Sequence, residues 1–486
     1  MGACTQAAEI SRKGRCHMTL RKYKNTPSYT ATQNACKMCT PLGATLVFQG
    51  IEGCVPLLHG SQGCSTYMRR YLISHFKEPV DIASSNFTEE TAVFGGGANL
   101  KLAIENVASQ YAPTMIGIAT TCLSETIGDD VQLILNSMDN HINGSALVHV
   151  STPAYSGTHV DGFHGAVAAV VDRFNPVGKR IVYRPKKKKK VNLFPGMLSN
   201  EDLRHLKDIF EDFHTPVAVL PDYSERLEGP SWQEYQAIQK GGTPISVIEK
   251  MNVAVHSMEF GAVLALAAEK GQETAGDILS KRFGVTCTRL PIPIGVKATD
   301  RFLDTLSQIS GRSVPEKYRK EKWRLVDAYV DGNKYVSKKR ALIYGEEDFV
   351  VSMAGFLAEV GIIPVLCASG GKSKTFKKAL EDTLPETLID QVIFQNDMDF
   401  TCMEETAAAM PEELRPEIII GNSKGYAMAR RLKIPLVRVG FPIHDRVGGP
   451  RILHVGYKGA QQLFDTIVNT ILTARQTESK IGYSYM

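Results

Sequence analysis

Residues 115–122 read Met115-Ile116-Gly117-Ile118-Ala119-Thr120-Thr121-Cys122. The apolar run over 115–119 predicts a buried β-strand, with Thr120-Thr121-Cys122 at its carboxyl end. A second run, Ala146-Leu147-Val148-His149-Val150, ends in the same way at Ser151-Thr152-Pro153. Short apolar runs that close on Gly, Ser, Thr or Pro and lead into helical stretches predict βαβ units and a parallel sheet. Ligands of such sheets bind beyond the carboxyl ends of the strands. Cys122 stands where a site is expected.

The alternation recurs twice further along the chain. Val191-Asn192-Leu193-Phe194, Val217-Ala218-Val219-Leu220 and Asn252-Val253-Ala254-Val255 predict strands of a second unit, followed by the proline-broken stretch Leu290 to Gly295. Arg340-Ala341-Leu342-Ile343-Tyr344-Gly345 opens a third, and Phe349 to Glu359 has helical apolar spacing. Ile362 to Leu366, Glu417 to Ser423 and Pro435 to Gly440 complete a Rossmann-like set. No G-x-G-x-x-G occurs at these turns, so dinucleotide binding is weakly supported. The lysine run from Lys186 to Lys190 predicts a solvated linker, since like charges repel and need water. The fold class expected is α/β, with three Rossmann-like parallel-sheet domains. Their bounds are an irregular basic arm at 1–35, an α/β domain at 36–185, a second at 191–335, and a third at 336–486 ending in a C-terminal helix.

Of the 486 residues, 43% are hydrophobic and 22% charged, which is ordinary globular composition with room for several domains. A net charge of +5 is modest for this length, and neither zinc-finger spacing nor an aromatic-basic pattern points to nucleic acid. No apolar run reaches the roughly 20 residues of a membrane helix, and Met1 to Asn25 lacks a signal-peptide core. The ten cysteines are irregularly spaced in a long chain, which argues against a disulfide framework and for a reducing, cytoplasmic setting.

Three of those cysteines stand in glycine-bearing turns: Cys39 in Cys39-Thr40-Pro41-Leu42-Gly43, Cys64 in His59-Gly60-Ser61-Gln62-Gly63-Cys64, and Cys122. Three soft ligands from separate loops suggest an iron–sulfur site and hence electron transfer. The helix-compatible stretch Ser65 to His75 puts first-turn N–H groups near the cluster, where their dipole favours negative charge. Ser124 and Glu125 are placed to hydrogen-bond near Cys122. Three ligands leave the site incomplete, so a partner chain is expected to supply the rest. Cys36-Lys37-Met38-Cys39 is also a C-x-x-C, a redox pair or half a zinc site taken alone, but no second pair accompanies it. Cys54, Cys287, Cys367 and Cys402 read as small buried hydrophobes. His59, His75, His149, His159 and His164 read as hydrogen-bonded structural groups, Lys77-Glu78 as a solvated or interface pair, and Tyr67 as a packed tyrosine. The Gly128-Asp129-Asp130 turn suits a cation or a helix cap.

Together the three cysteine motifs resemble the nitrogenase component 1 family, and specifically its β-type (NifK/NifN-like) subunits. The likeness extends to His75-Phe76-Lys77-Glu78-Pro79, Thr88 to Gly96, Thr120 to Asp130, Thr152 to Val160, Ile309-Ser310-Gly311 and Gly440 to Arg446. It runs from about Cys39 to about Ile471. The resemblance implies an α₂β₂ heterotetramer with an α-type (NifD/NifE-like) subunit. It implies a P-cluster-type 8Fe-7S centre at the subunit boundary, with Cys39, Cys64 and Cys122 as the β-side ligands. It further implies a NifH-like, ATP-dependent reductase protein as electron donor, and an active-site cofactor held by the α-type partner.

Two functional expectations follow from that likeness. The first is a β-type subunit of a nitrogenase or of a nitrogenase-like reductase, such as those acting on methylthio-alkanes. The second is a NifN-type scaffold for assembly of the iron–molybdenum cofactor, carrying a 4Fe-4S cluster instead; the intact cysteine set counts against it. One departure stands out. The molybdenum nitrogenase β subunit has a serine where this chain has Ala154, so the cluster's redox behaviour is expected to differ.

Overall fold

Most of the predicted apolar runs form strands of three separate, mainly parallel sheets. The computed structural model describes residues 35–178, 190–229 and 236–481. The arm expected at 1–35, apart from its last residue, and the linker lysines before Lys190 lie outside the described residues.

The first sheet contains β1 (Cys54–His59), β2 (Ala83–Ser84), β3 (Met115–Thr120), β4 (His141–Ile142) and β5 (Ser145–Val150), in the order β2-β1-β3-β5-β4. All its pairings are parallel except the short β4–β5 contact. Strands β1 and β3 are buried along their whole length, as expected for a parallel sheet covered on both faces. The second sheet pairs β6 (Val191–Phe194), β7 (Val217–Val219), β8 (His256–Phe260) and β9 (Cys287–Leu290) in the order β7-β6-β8-β9. The third holds β10 (Arg340–Gly345), β11 (Ile363–Ser369), β12 (Ile393–Gln395), β13 (Ile418–Gly421) and β14 (Leu436–Arg438), in the order β12-β11-β10-β13-β14. That is a doubly wound Rossmann arrangement.

Two readings need correction. Asn252 to Val255 is not a strand: Met251–Val253 form a 3₁₀ turn, and the strand begins at His256. Its sequence, His-Ser-Met-Glu-Phe, hides its burial behind polar residues. Glu259 is buried because Arg289 pairs with it at 2.8 Å and the Gly276 N–H donates to it at 2.7 Å. Strand β1 was not anticipated, since Pro56 and the flanking Cys54 and His59 blur its apolar signal.

One apolar core runs through all three units, from Met38 and Phe48 through Phe210 and Phe302 to Phe356 and Phe464. A smaller cluster under the third sheet takes in Cys36, Tyr344 and Phe400. The chain enters the described region there: Ala35 bridges Asp399, and the Cys36 N–H donates to the Met398 carbonyl at 3.3 Å.

Candidate cluster site

All three cysteines of the motif sit where a helix starts. Cys39 is the residue before helix Thr40–Gln49, whose first turn carries Pro41, a residue pre-set for that position. β1 ends at His59, and Cys64 lies in the first turn of helix Gln62–Phe76. β3 ends at Thr120, Thr121 caps helix Cys122–Ile127, and the Thr121 N–H is taken by Ser124 Oγ at 3.0 Å.

Glycine lets these starts come together. A Cβ at Gly60 would run into the Thr121 side chain, so only glycine lets the turn after β1 lie against the turn after β3. Helix Thr40–Gln49 crosses helix His159–Phe174 backbone to backbone. A Cβ at Gly43 would strike the His159 carbonyl, and one at Gly162 the Thr40 carbonyl. The crossing holds Cys39 beside the first sheet.

The three thiols are brought into one neighbourhood. Cys39 and Cys64 are half-buried and Cys122 is exposed. Burial raises the Cys39 pKa, and the nearby Cys122 and Cys64 raise it further; the Tyr67 hydroxyl, hydrogen-bonded to Cys39, acts the other way. Tyr67 is itself pushed up, by burial and then by Cys39. Ser61 Oγ lies 3.8 Å from Cys64 Sγ, and the Ala154 N–H donates to Cys122 Sγ at 3.2 Å. Among the described residues no three His, Cys, Asp or Glu side chains are gathered tightly enough for a single metal ion. Three soft donors spread more widely, with hydrogen-bond donors at their sulfurs, suit separate corners of a polynuclear iron–sulfur group. Around Cys122 the surface is apolar and uncovered: Tyr155 is 62% exposed, and Phe94, on a helix packed against the Cys122 helix, 83%.

Other candidates resolve into structural parts. Cys36 points into the third unit's core, where burial pushes its thiol up to about 12, so the C-x-x-C is no pair. Cys54 and Cys367 are fully buried, whereas Cys287 and Cys402 are half-buried beside Glu259 and Asp399. His59 bonds Ser85 at 3.0 Å and Asp129 at 3.1 Å. Burial drives His75 to about 3; its Nδ1 accepts from the Ile443 N–H at 2.9 Å. Burial likewise drives His159 to about 3, and its Nδ1 accepts from the Met38 N–H. Burial takes His149 and His164 to about 4, and His149 Nε2 is without a partner. Lys77 is exposed and reaches the His444 carbonyl. Asp130 caps helix Val131–Asn136, and Asp129 accepts from the Gly96 N–H at 3.0 Å, so this turn caps and braces. The Ala154 N–H was beyond sequence reasoning, since a backbone donor leaves no mark in residue type.

Comparison with known proteins follows the same lines. The nitrogenase component 1 type oxidoreductase family matches residues 39–472. The nitrogenase molybdenum-iron protein beta chain of Clostridium pasteurianum is 35% identical over 448 residues, spanning 92% of this chain and 94% of that one. The nitrogenase iron-molybdenum cofactor biosynthesis protein NifN of Bradyrhizobium diazoefficiens is 31% identical over 462 residues, spanning 93% and 92%. The solved structure of nitrogenase Cp1 at pH 6.5 aligns with a TM-score of 0.87 at 33% identity, covering 95% of this chain and 98% of that one. Sheets, helix starts and comparisons agree: the chain belongs to the nitrogenase component 1 type oxidoreductase family.

Proposed function

We propose that this chain is the β-type subunit of a nitrogenase or nitrogenase-like reductase. In this reading Cys39, Cys64 and Cys122 supply its share of a P-cluster-type 8Fe-7S centre. The observation that carries the reading is the placement of these three thiols, each at a helix start, with Cys39 within electrostatic reach of the other two. When bound, such a cluster takes up and passes on electrons. The chain's own part is to hold the sulfurs, to hydrogen-bond them through Ser61, Tyr67 and the Ala154 N–H, and to present an apolar rim to an α-type subunit. That subunit completes an α₂β₂ assembly, holds the active-site cofactor and provides the remaining ligands. A NifH-like, ATP-dependent reductase protein in the same cytoplasmic compartment supplies the electrons. The resemblance to molybdenum-iron protein beta chains supports this over the NifN-type scaffold, whose representative is slightly less similar.

The test is iron analysis with EPR on the complex purified with its partner. About eight interface irons per αβ half are expected for a double-cubane centre. A 4Fe-4S signal alone would favour the scaffold. Cys122→Ala is expected to lose the interface iron and to weaken subunit association, since cluster binding contributes assembly energy. Unchanged iron in that variant removes Cys122 from the ligand set.

A further inference from the structure

The carboxyl ends of β3 and β5 are laced together by hydrogen bonds that finish at a candidate ligand. Thr120 Oγ1 donates to Glu125 Oε1, and Ser151 Oγ donates to the same oxygen at 2.5 Å. The Thr152 N–H donates to Thr120 Oγ1 at 2.8 Å, and Thr152 Oγ1 donates to the Thr120 carbonyl at 2.6 Å. Two residues further on, the Ala154 N–H reaches Cys122 Sγ at 3.2 Å. Ala154 has no side-chain oxygen, so a backbone donor is what it offers the sulfur.

We infer that Glu125 is a positioning residue for the redox centre: by gripping Thr120 and Ser151 at once it holds the 151–154 loop so that the Ala154 N–H stays aimed at the Cys122 sulfur. The inference rests on the reading of Cys122 as a ligand. A donor to a ligating sulfur stabilises the more negative, reduced cluster and so raises its reduction potential. Without the grip the amide drifts from the sulfur and the potential falls. Glu125 touches neither sulfur nor substrate, and its effect passes wholly through the loop.

The experiment compares Glu125→Gln, Glu125→Ala and Ser151→Ala in the purified complex, by iron content and EPR-monitored redox titration. Gln keeps an acceptor oxygen for both hydroxyls while removing any charge; Ala removes both. Iron is expected to stay at the wild-type level in all three. The midpoint potential of Glu125→Ala should lie below that of Glu125→Gln, and that of Ser151→Ala below wild type. Coincident potentials for the two Glu125 variants, with Ser151→Ala at the wild-type value, overturn the inference. Where Glu125→Ala yields no intact complex, Ser151→Ala decides alone, and an unmoved potential overturns it. Full iron in Cys122→Ala is a different failure, because it strikes the ligand reading and not the brace.

Discussion

Cys36 and Cys39, three residues apart, meet opposite fates. Cys36 is sealed in the third unit's core, while Cys39 opens a helix beside Cys64 and Cys122. Cys36→Ala leaves a void of about one methyl group, costing about 1 kcal/mol. It is expected to lower the urea midpoint of the complex slightly and to leave its iron unchanged. Cys39→Ala is expected to lose the interface iron, as measured by the same metal analysis. The turn positions of Cys64 and Cys122 were legible in the glycine, serine and threonine residues beside them, and both open helices in the structure. The burial of Cys36 was not legible, because C-x-x-C spacing says nothing of which core receives the first thiol. Glu125 could be placed near Cys122 from sequence, but its contact with Ser151 could not, because the two meet only through the pairing of β3 with β5.

At the scale of elements, sites are made by what stands immediately after a strand. β1 and β3 pair in register from Cys54 with Met115 to His59 with Thr120. Their following turns therefore emerge side by side, and Gly60 removes the last obstacle between them. Gly60→Ala forces the Thr121 side chain aside, at a cost of roughly 1–3 kcal/mol for overpacking. A lower urea midpoint with reduced iron occupancy is expected. Several strand bounds were readable from periodicity, β6 and β10 to the residue. β8 was not, because its buried Glu259 is compensated by Arg289 on the neighbouring strand and local sequence does not contain that partner.

The whole molecule is bound into one by side chains that cross between units. His75, on the helix that carries Cys64, accepts the Ile443 N–H of the third unit. Its ring also packs edge-on against Phe441. Burial holds His75 neutral down to about 3, whereas the unfolded chain takes up a proton near 6.5. Its share of the stability is full above about 6.5 and drains as the pH falls toward 3, by about 1.4 kcal/mol per pH unit. Urea midpoints of the complex should fall between pH 7 and pH 5, and His75→Asn should flatten that slope. An equal slope in the variant removes His75 from the account. Fold class followed from three repeats of one pattern. The joint between units did not, because it is written in pairs hundreds of residues apart.

The short strap from Ala35 to Cys39 has a mechanical meaning. One end is pinned by Asp399, Met398 and the Lys424 ammonium, which reaches the Ala35 carbonyl at 2.7 Å; the other carries a sulfur. Between them Met38 is held as well: its N–H donates to His159 Nδ1 at 3.4 Å and its carbonyl accepts from the His159 N–H at 3.1 Å. The mount of the Cys39 sulfur is thus shared between the first and third units, as a hook is set in two walls at once.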